Sequence, residues 1–173
     1  AAEGGIDPYT EEVFWNLISK PMSGQVLKNP SDMPHVILSA GPGEGPLVGG
    51  CLSLFNNLMG TPYFPNVAGG ILVLEDIGEN AQHLDRMLSQ FKMAGFFHGE
   101  ERINGLVLGQ FIDTWENGDE DDFLLDELVR DIIGKVDFPI VSSIAYGHGM
   151  RKMTLPLGAN VMLNGDDGSL TLL

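Results

Sequence analysis

Two places in the sequence combine residue types that could carry acid–base chemistry. Glu75-Asp76 closes the apolar run Gly70-Ile71-Leu72-Val73-Leu74. Carboxylates at the end of a buried strand stand at the sheet edge where α/β proteins hold their ligands. Tyr146-Gly147-His148-Gly149 follows the segment Phe138–Ile144, and glycines on both sides of a histidine let the backbone turn sharply and leave the imidazole accessible. A histidine titrating near neutrality is the commonest general base, and a carboxylate fixes its tautomer. Taken singly, each motif also fits a solvated strand end or a turn.

Other constellations fall short of a chemistry. His35, His83 and His98 show no metal-ligand spacing with one another. In the acidic run Glu116 to Asp122, Gly118 precedes the candidate ligands Asp119 and Asp121 and no bidentate Glu follows at position twelve, so it reads as a solvated loop rather than a calcium loop. Gly41-Pro42-Gly43-Glu44-Gly45 lacks the Lys-Ser/Thr of a phosphate loop, and its proline removes a donor. No serine occupies a Gly-x-Ser-x-Gly elbow. Ser53 falls in an apolar segment that reads as helix, and Ser142-Ser143 fall in a strand, so a nucleophile is missing. Neither a metal nor a cofactor is expected.

The elements that must position these residues follow from capping signals and periodicity. Asp7-Pro8 with Glu11-Glu12 starts a helix whose apolar stripe is Phe14, Trp15, Leu17 and Ile18. Ser19 to Pro34 reads as a loop or linker. His35 to Leu38 is a short strand; Gly41 to Pro46 interrupts regular structure; Leu47 to Met59 reads as a buried helix starting near Gly50. Gly70 to Leu74 is a strand buried on both faces. Asn80 caps a helix with Leu84, Met87, Leu88, Phe91 and Ala94 at helical spacing. Ile103 to Leu108 is a strand, Phe123 to Ile133 a helix with Asp121 and Asp122 at its positive end, and Phe138 to Ile144 a strand. Ala159 to Leu163 and Ser169 to Leu173 flank a Gly/Asn/Asp cluster and read as a β-hairpin. The order predicts an α/β domain with a partly parallel sheet and an antiparallel appendage.

Composition excludes several classes. A 173-residue chain buries enough surface to fold without disulfide or metal, and 43% hydrophobic against 19% charged residues excludes intrinsic disorder. The net charge of -15 argues against nucleic acid and against an anionic membrane surface. The single cysteine, Cys51, rules out an internal disulfide framework. No run approaches the ~18 apolar residues of a spanning helix, and the first residues lack the basic-then-apolar pattern of a secretory signal. The chain begins at Ala1 rather than Met, which fits processing or truncation.

Three ordered segments together resemble the C-terminal domain of the LD-carboxypeptidase family, which includes muramoyltetrapeptide carboxypeptidases and microcin C self-immunity peptidases. The first is Pro46-Leu47-Val48-Gly49-Gly50-Cys51-Leu52-Ser53-Leu54 with Leu58-Met59-Gly60-Thr61-Pro62-Tyr63. The second is Ile71-Leu72-Val73-Leu74-Glu75-Asp76-Ile77-Gly78-Glu79 with Leu84-Asp85-Arg86-Met87-Leu88. The third is Gly147-His148-Gly149 with Thr154-Leu155-Pro156-Leu157-Gly158-Ala159. The likeness runs from about Asp7 to Leu173; Cys51 departs from it, standing where the family commonly has Asn.

The resemblance implies a swivelling β/β/α-type domain over residues 35–173, with a mixed, partly parallel sheet or barrel and a C-terminal hairpin, preceded by a helix and linker over residues 1–34. It implies that Glu75 and His148 are the carboxylate and base of a Ser-Glu-His triad, whose serine and oxyanion hole lie on an absent N-terminal domain. The whole protein is then expected to hydrolyse the L,D-peptide bond of murein tetrapeptides in the cytoplasm, as a homodimer and without metal, while this chain alone is inactive. The alternatives are a microcin-immunity-type peptidase and a non-catalytic binding or dimerisation module.

Overall fold

The computed structural model describes residues 5–20, 22–114 and 122–173. In chain order the elements are α1 (Pro8–Ser19), β1 (Val26–Leu27), β2 (Val36–Ser39), β3 (Pro42–Cys51), α2 (Leu52–Asn57), β4 (Ile71–Ile77), α3 (Ala81–Met93), β5 (Gly105–Ile112), α4 (Asp122–Ile133), β6 (Ile140–Ser142), β7 (Asn160–Asn164) and β8 (Ser169–Leu172). The strands form one eight-stranded sheet in the order β1-β8-β7-β3-β4-β5-β6-β2. Pairings β3–β4, β4–β5 and β5–β6 are parallel, and the remainder are antiparallel. The fold is therefore the mixed, partly parallel α/β arrangement that the element order predicts, with the hairpin β7–β8 at its end.

Strand β4 explains why the sheet is covered on both sides. Its residues Ile71 to Leu74 are all buried, and alternate side chains of a strand point to opposite faces. Leu72 and Leu74 join Leu106 and Leu108 in a core closed by α2, α3 and α4 through Phe55, Leu84, Leu88, Phe91 and Val129. Ile71 and Val73 join Val107 and Val141 in a second core closed by Leu17 of α1 and by Val161, Leu163, Leu170 and Leu172 of the hairpin. The sheet thus curls so that β7 and β8 pack back over the strands beside them. Each of the four β4 side chains contributes about 1.5–3 kcal/mol by leaving water.

Three expectations are corrected here. The stretch 41–46 does not interrupt the sheet: it opens β3, which pairs first with β7 (Pro42↔Asn164 to Pro46↔Asn160) and then with β4 (Leu47↔Ile71 to Cys51↔Glu75). A glycine-rich strand is stable at this place because neighbouring backbone comes close. A Cβ on Gly43 would overlap the carbonyl of Asn104, and one on Gly45 the carbonyl of Gly69. The helix expected over 47–59 shrinks to α2, because Gly49 and Gly50 hold φ of 139° and 144° and keep the chain extended to Cys51. The stripe on α1 is also displaced. Tyr9, Val13 and Leu17, spaced four apart, face the core, whereas Phe14, Trp15 and Ile18 are exposed.

Smaller differences lie at element ends. The loop 19–34 contains β1, which pairs with β8. Ala94 caps α3 in an exposed position rather than packing on it. Strand β6 is three residues long and ends before Ser143, whose φ is 60°. Asp122 opens α4, while Asp121 and the rest of the run 116–121 lie outside the described residues. The capping signals do operate: Asp7 Oδ1 accepts from the Tyr9 and Thr10 amides, and Asn80 Oδ1 from the His83 amide.

Lys28, just after β1, meets Asp167 in the hairpin turn at 2.7 Å. This pairing, together with the hydroxyl and amide of Ser169, pulls the Asp167 carboxyl down to about 2. A carboxyl whose folded value lies below its unfolded value stabilises the fold above about pH 4 and loses that contribution as pH falls towards 2. Both side chains are about half exposed, so solvent screening keeps the gain at or below about 1 kcal/mol. Asp167→Asn is expected to flatten the pH 4 to 2 portion of the acid-unfolding curve and to cost no more than that at neutral pH, as read by denaturant titration.

Candidate active site

Glu75 and Asp76 are neighbours in β4, yet the alternation of the strand sends them to opposite faces. Asp76, 1% exposed, turns to the helix side. It accepts hydrogen bonds from the Ser53 amide at 2.8 Å, the Ser53 hydroxyl at 3.3 Å and the Cys51 thiol at 3.4 Å, and from its neighbour's amide, Ile77, at 2.9 Å. Cys51, the N-cap of α2, makes no side-chain capping bond of its own. Asp76 does that work from the adjacent strand, and its charge suits the positive end of the helix.

Glu75 turns the other way and meets His148. Its Oε2 lies 2.8 Å from His148 Nδ1. The carboxylate side chain is 7% exposed and the imidazole 49%, so the acid is shielded from water while the base is open to it. With Nδ1 donating to Glu75, the neutral ring presents Nε2 as its acceptor. Residues 73 positions apart are thus joined, one at the carboxyl end of β4 and the other in the loop after β6. Each lies where the parallel strands end, the usual location of sites in open α/β sheets.

The space for Glu75 is made by glycine and by a bulge. Leu74 pairs with Leu108 but Asp76 pairs with Phe111, so Gly109 and Gln110 together oppose Glu75. A Cβ on Gly109 would overlap the Tyr146 carbonyl oxygen and sit 3.1 Å from Glu75 Cβ. One on Gly147 would lie 2.7 Å from Glu75 Oε2, and Gly147 holds φ of 123°, a conformation open to glycine. Tyr146 is half-buried beside the pair, and burial first, then the Glu75 charge, then Cys51, push its phenol up from its ordinary value. It stays neutral next to the carboxylate.

The loop carrying His148 is anchored from a segment that sequence reasoning treated as linker. Asn29 Nδ2 donates to the Ser143 carbonyl at 2.8 Å, and Asn29 Oδ1 accepts from the Ala145 amide at 2.8 Å. A lone Asn in a Pro/Ser/Asn-rich stretch carries no periodic signal, so this anchor was not legible beforehand. Of the serines weighed from sequence, Ser53 is bonded to Asp76 and Ser142 is fully buried in β6. His83 of α3 pairs with Glu79, which precedes that helix, at 2.6 Å, and His98 with the Ile133 carbonyl, at 2.9 Å. Among the described residues, no group of three or more His, Cys, Asp or Glu side chains could hold a metal ion, and no helix is long and apolar enough to cross a membrane.

Two substitutions test this geometry. Gly147→Ala combines a strained φ with a collision against Glu75, and should lower stability by about 2 kcal/mol or more while separating Glu75 from His148. Thermal unfolding and the imidazole NMR signals report the two effects. Asp76→Ala leaves the half-buried Ser53 amide without its acceptor, and is expected to cost about 1–3 kcal/mol by the same unfolding measurement.

Residues 44–163 match the family described as the LD-carboxypeptidase C-terminal domain. A Streptomyces coelicolor relative is 35% identical over 136 residues, which is 78% of this chain and 41% of that protein. The murein tetrapeptide carboxypeptidase of Pseudomonas aeruginosa is 29% identical over 126 residues, 71% of this chain and 39% of its own length. Among solved structures, muramoyltetrapeptide carboxypeptidase from Oxalobacter formigenes superposes with a TM-score of 0.72 at 29% identity, covering 98% of this chain and 56% of that one. The chain therefore spans about two-fifths of the length of these curated relatives. With most of its length matched to the family model and its motifs set out in the same fold, the chain belongs to the LD-carboxypeptidase family.

Proposed function

We propose that this chain supplies the carboxylate and the base of a Ser-Glu-His triad in a serine-type LD-carboxypeptidase, with the nucleophile and oxyanion hole on a preceding domain outside it. The observation that carries the reading is the bond between Glu75 Oε2 and His148 Nδ1 at 2.8 Å, with the imidazole half exposed and the carboxylate buried. Glu75 would hold the imidazole tautomer and stabilise the imidazolium that forms during turnover.

The steps assigned to these residues are those of acyl transfer. His148 Nε2 takes the serine hydroxyl proton as the serine oxygen bonds to the carbonyl carbon of the L,D-peptide bond. The adduct collapses, the C–N bond breaks, and the imidazolium returns its proton to the departing amine of the D-amino acid. Water, deprotonated by the same nitrogen, attacks the ester, releasing the shortened peptide and restoring the serine. The names of the Pseudomonas aeruginosa and Oxalobacter formigenes relatives support a murein tetrapeptide as substrate. Action on fragments recovered from the cell wall would place the whole protein in the cytoplasm, and the family resemblance carries a homodimer.

The test is release of D-Ala from a murein tetrapeptide. The chain by itself is expected to release none above background, and the protein carrying the nucleophile domain is expected to turn over. In that protein Glu75→Gln or His148→Ala should each lower kcat by about 10³-fold or more. Turnover by the isolated chain, or full activity after either substitution, overturns the proposal.

A further inference from the structure

We infer that Gln110 is a positioning residue that sets the orientation of the His148 imidazole. The inference rests on the reading of Glu75 and His148 as the working pair, and adds the device that keeps them aligned. Gln110 stands in the β5 bulge opposite Glu75 and grips the histidine loop on both sides. Its main-chain N–H donates to the Tyr146 carbonyl at 2.7 Å, two residues before His148. Its side-chain Oε1 accepts the Gly149 amide proton at 3.1 Å, one residue after it. The Gly149 contact also fixes the orientation of the Gln110 side-chain amide, because only its oxygen can accept that proton.

The loop needs such a grip. Glycine on each side of His148 gives the backbone more conformations to lose than any other residue type would. Nothing in the local sequence alone would hold Nδ1 towards β4. Asn29 ties the same segment upstream, at Ser143 and Ala145, and Gln110 ties it at Tyr146 and Gly149, so His148 projects from a span fastened at both ends. The packing leaves no slack either: a Cβ on Gly149 would overlap the Gln110 side-chain amide. The bulge that opens room for Glu75 is therefore the same feature that carries the residue fastening its partner.

The readout is the His148 tautomer, followed by long-range 1H–15N spectra of the labelled chain, together with solvent exchange of the Gly149 amide. Gln110→Ala should shift the neutral ring away from the Nδ1-protonated form, and Gly149 should exchange about tenfold faster or more. Gln110→Glu keeps an acceptor of the same reach and should retain the original tautomer and protection. Gln110→Met, of similar size but without the carbonyl acceptor, replaces the alanine variant if that one does not fold. An unchanged tautomer and unchanged exchange in the variants lacking the acceptor, or equal loss in Gln110→Glu, overturns the assignment. In the complete peptidase, Gln110→Met should lower kcat by about tenfold with KM unchanged, and Gln110→Glu should recover most of it. If Glu75→Gln leaves turnover intact, the peptidase reading fails, and the tautomer and exchange data still decide the role of Gln110.

Discussion

Strand β4 is the constraint from which the site follows. It is flanked by parallel strands and buried on both faces, so its first four residues must be apolar in both alternating positions. The same alternation then reaches two acids. A carboxylate delivered into a dry interior must find donors or change its protonation, and the two acids solve this differently. Asp76 gathers main-chain and side-chain donors from the start of α2, and Glu75 takes the imidazole of His148. One fastens the sheet to a helix, and the other is left with chemistry to perform.

The two solutions are coupled through the backbone. Asp76 fixes the last turn of extended chain in β4 to α2, and the parallel pairing of Cys51 with Glu75 brings β3 against the same point. On the opposite side the β5 bulge, the Gly147 turn and the Asn29 anchor define where the imidazole can stand. Three separate stretches of sequence, near residues 29, 75 and 109–110, thereby converge on one histidine and its loop. None of them is adjacent to it in the chain, which is what allows a single strand register to hold acid and base together.

Much of this was legible from residue order alone. The apolar runs 70–74 and 103–108, the Asn80 cap and the hairpin around 164–168 signalled elements that exist, because burial and capping act locally and leave periodic traces. Glu75 and His148 stood out by strand-end position and flanking glycines, each also open to a bland reading, and only the family resemblance joined them as carboxylate and base. Their contact could not be derived from spacing, because it depends on crossovers through α3, β5, α4 and β6. The errors have separate origins. Pro42 to Gly50 was misread because glycine usually breaks structure, whereas here it admits neighbouring backbone carbonyls too close for any side chain. Asp76 was grouped with Glu75 by adjacency, although a strand separates adjacent residues more completely than distant ones. Asn29 and Gln110 left no trace because a positioning amide needs no pattern, only a partner within reach.

The bulge in β5 has a meaning that residue identities do not express. Between Leu108 and Phe111 the strand carries one residue more than β4 does between Leu74 and Asp76. Deleting that extra residue would draw β5 into continuous register and close the space opposite Glu75, while Phe111, which already packs on the same face as Leu108, would stay there. The site is thus written partly as a difference in strand length. A lineage could lose it without altering a single acid or base, by an in-frame deletion of one codon, and a comparison restricted to aligned residues would still count every one of them as present.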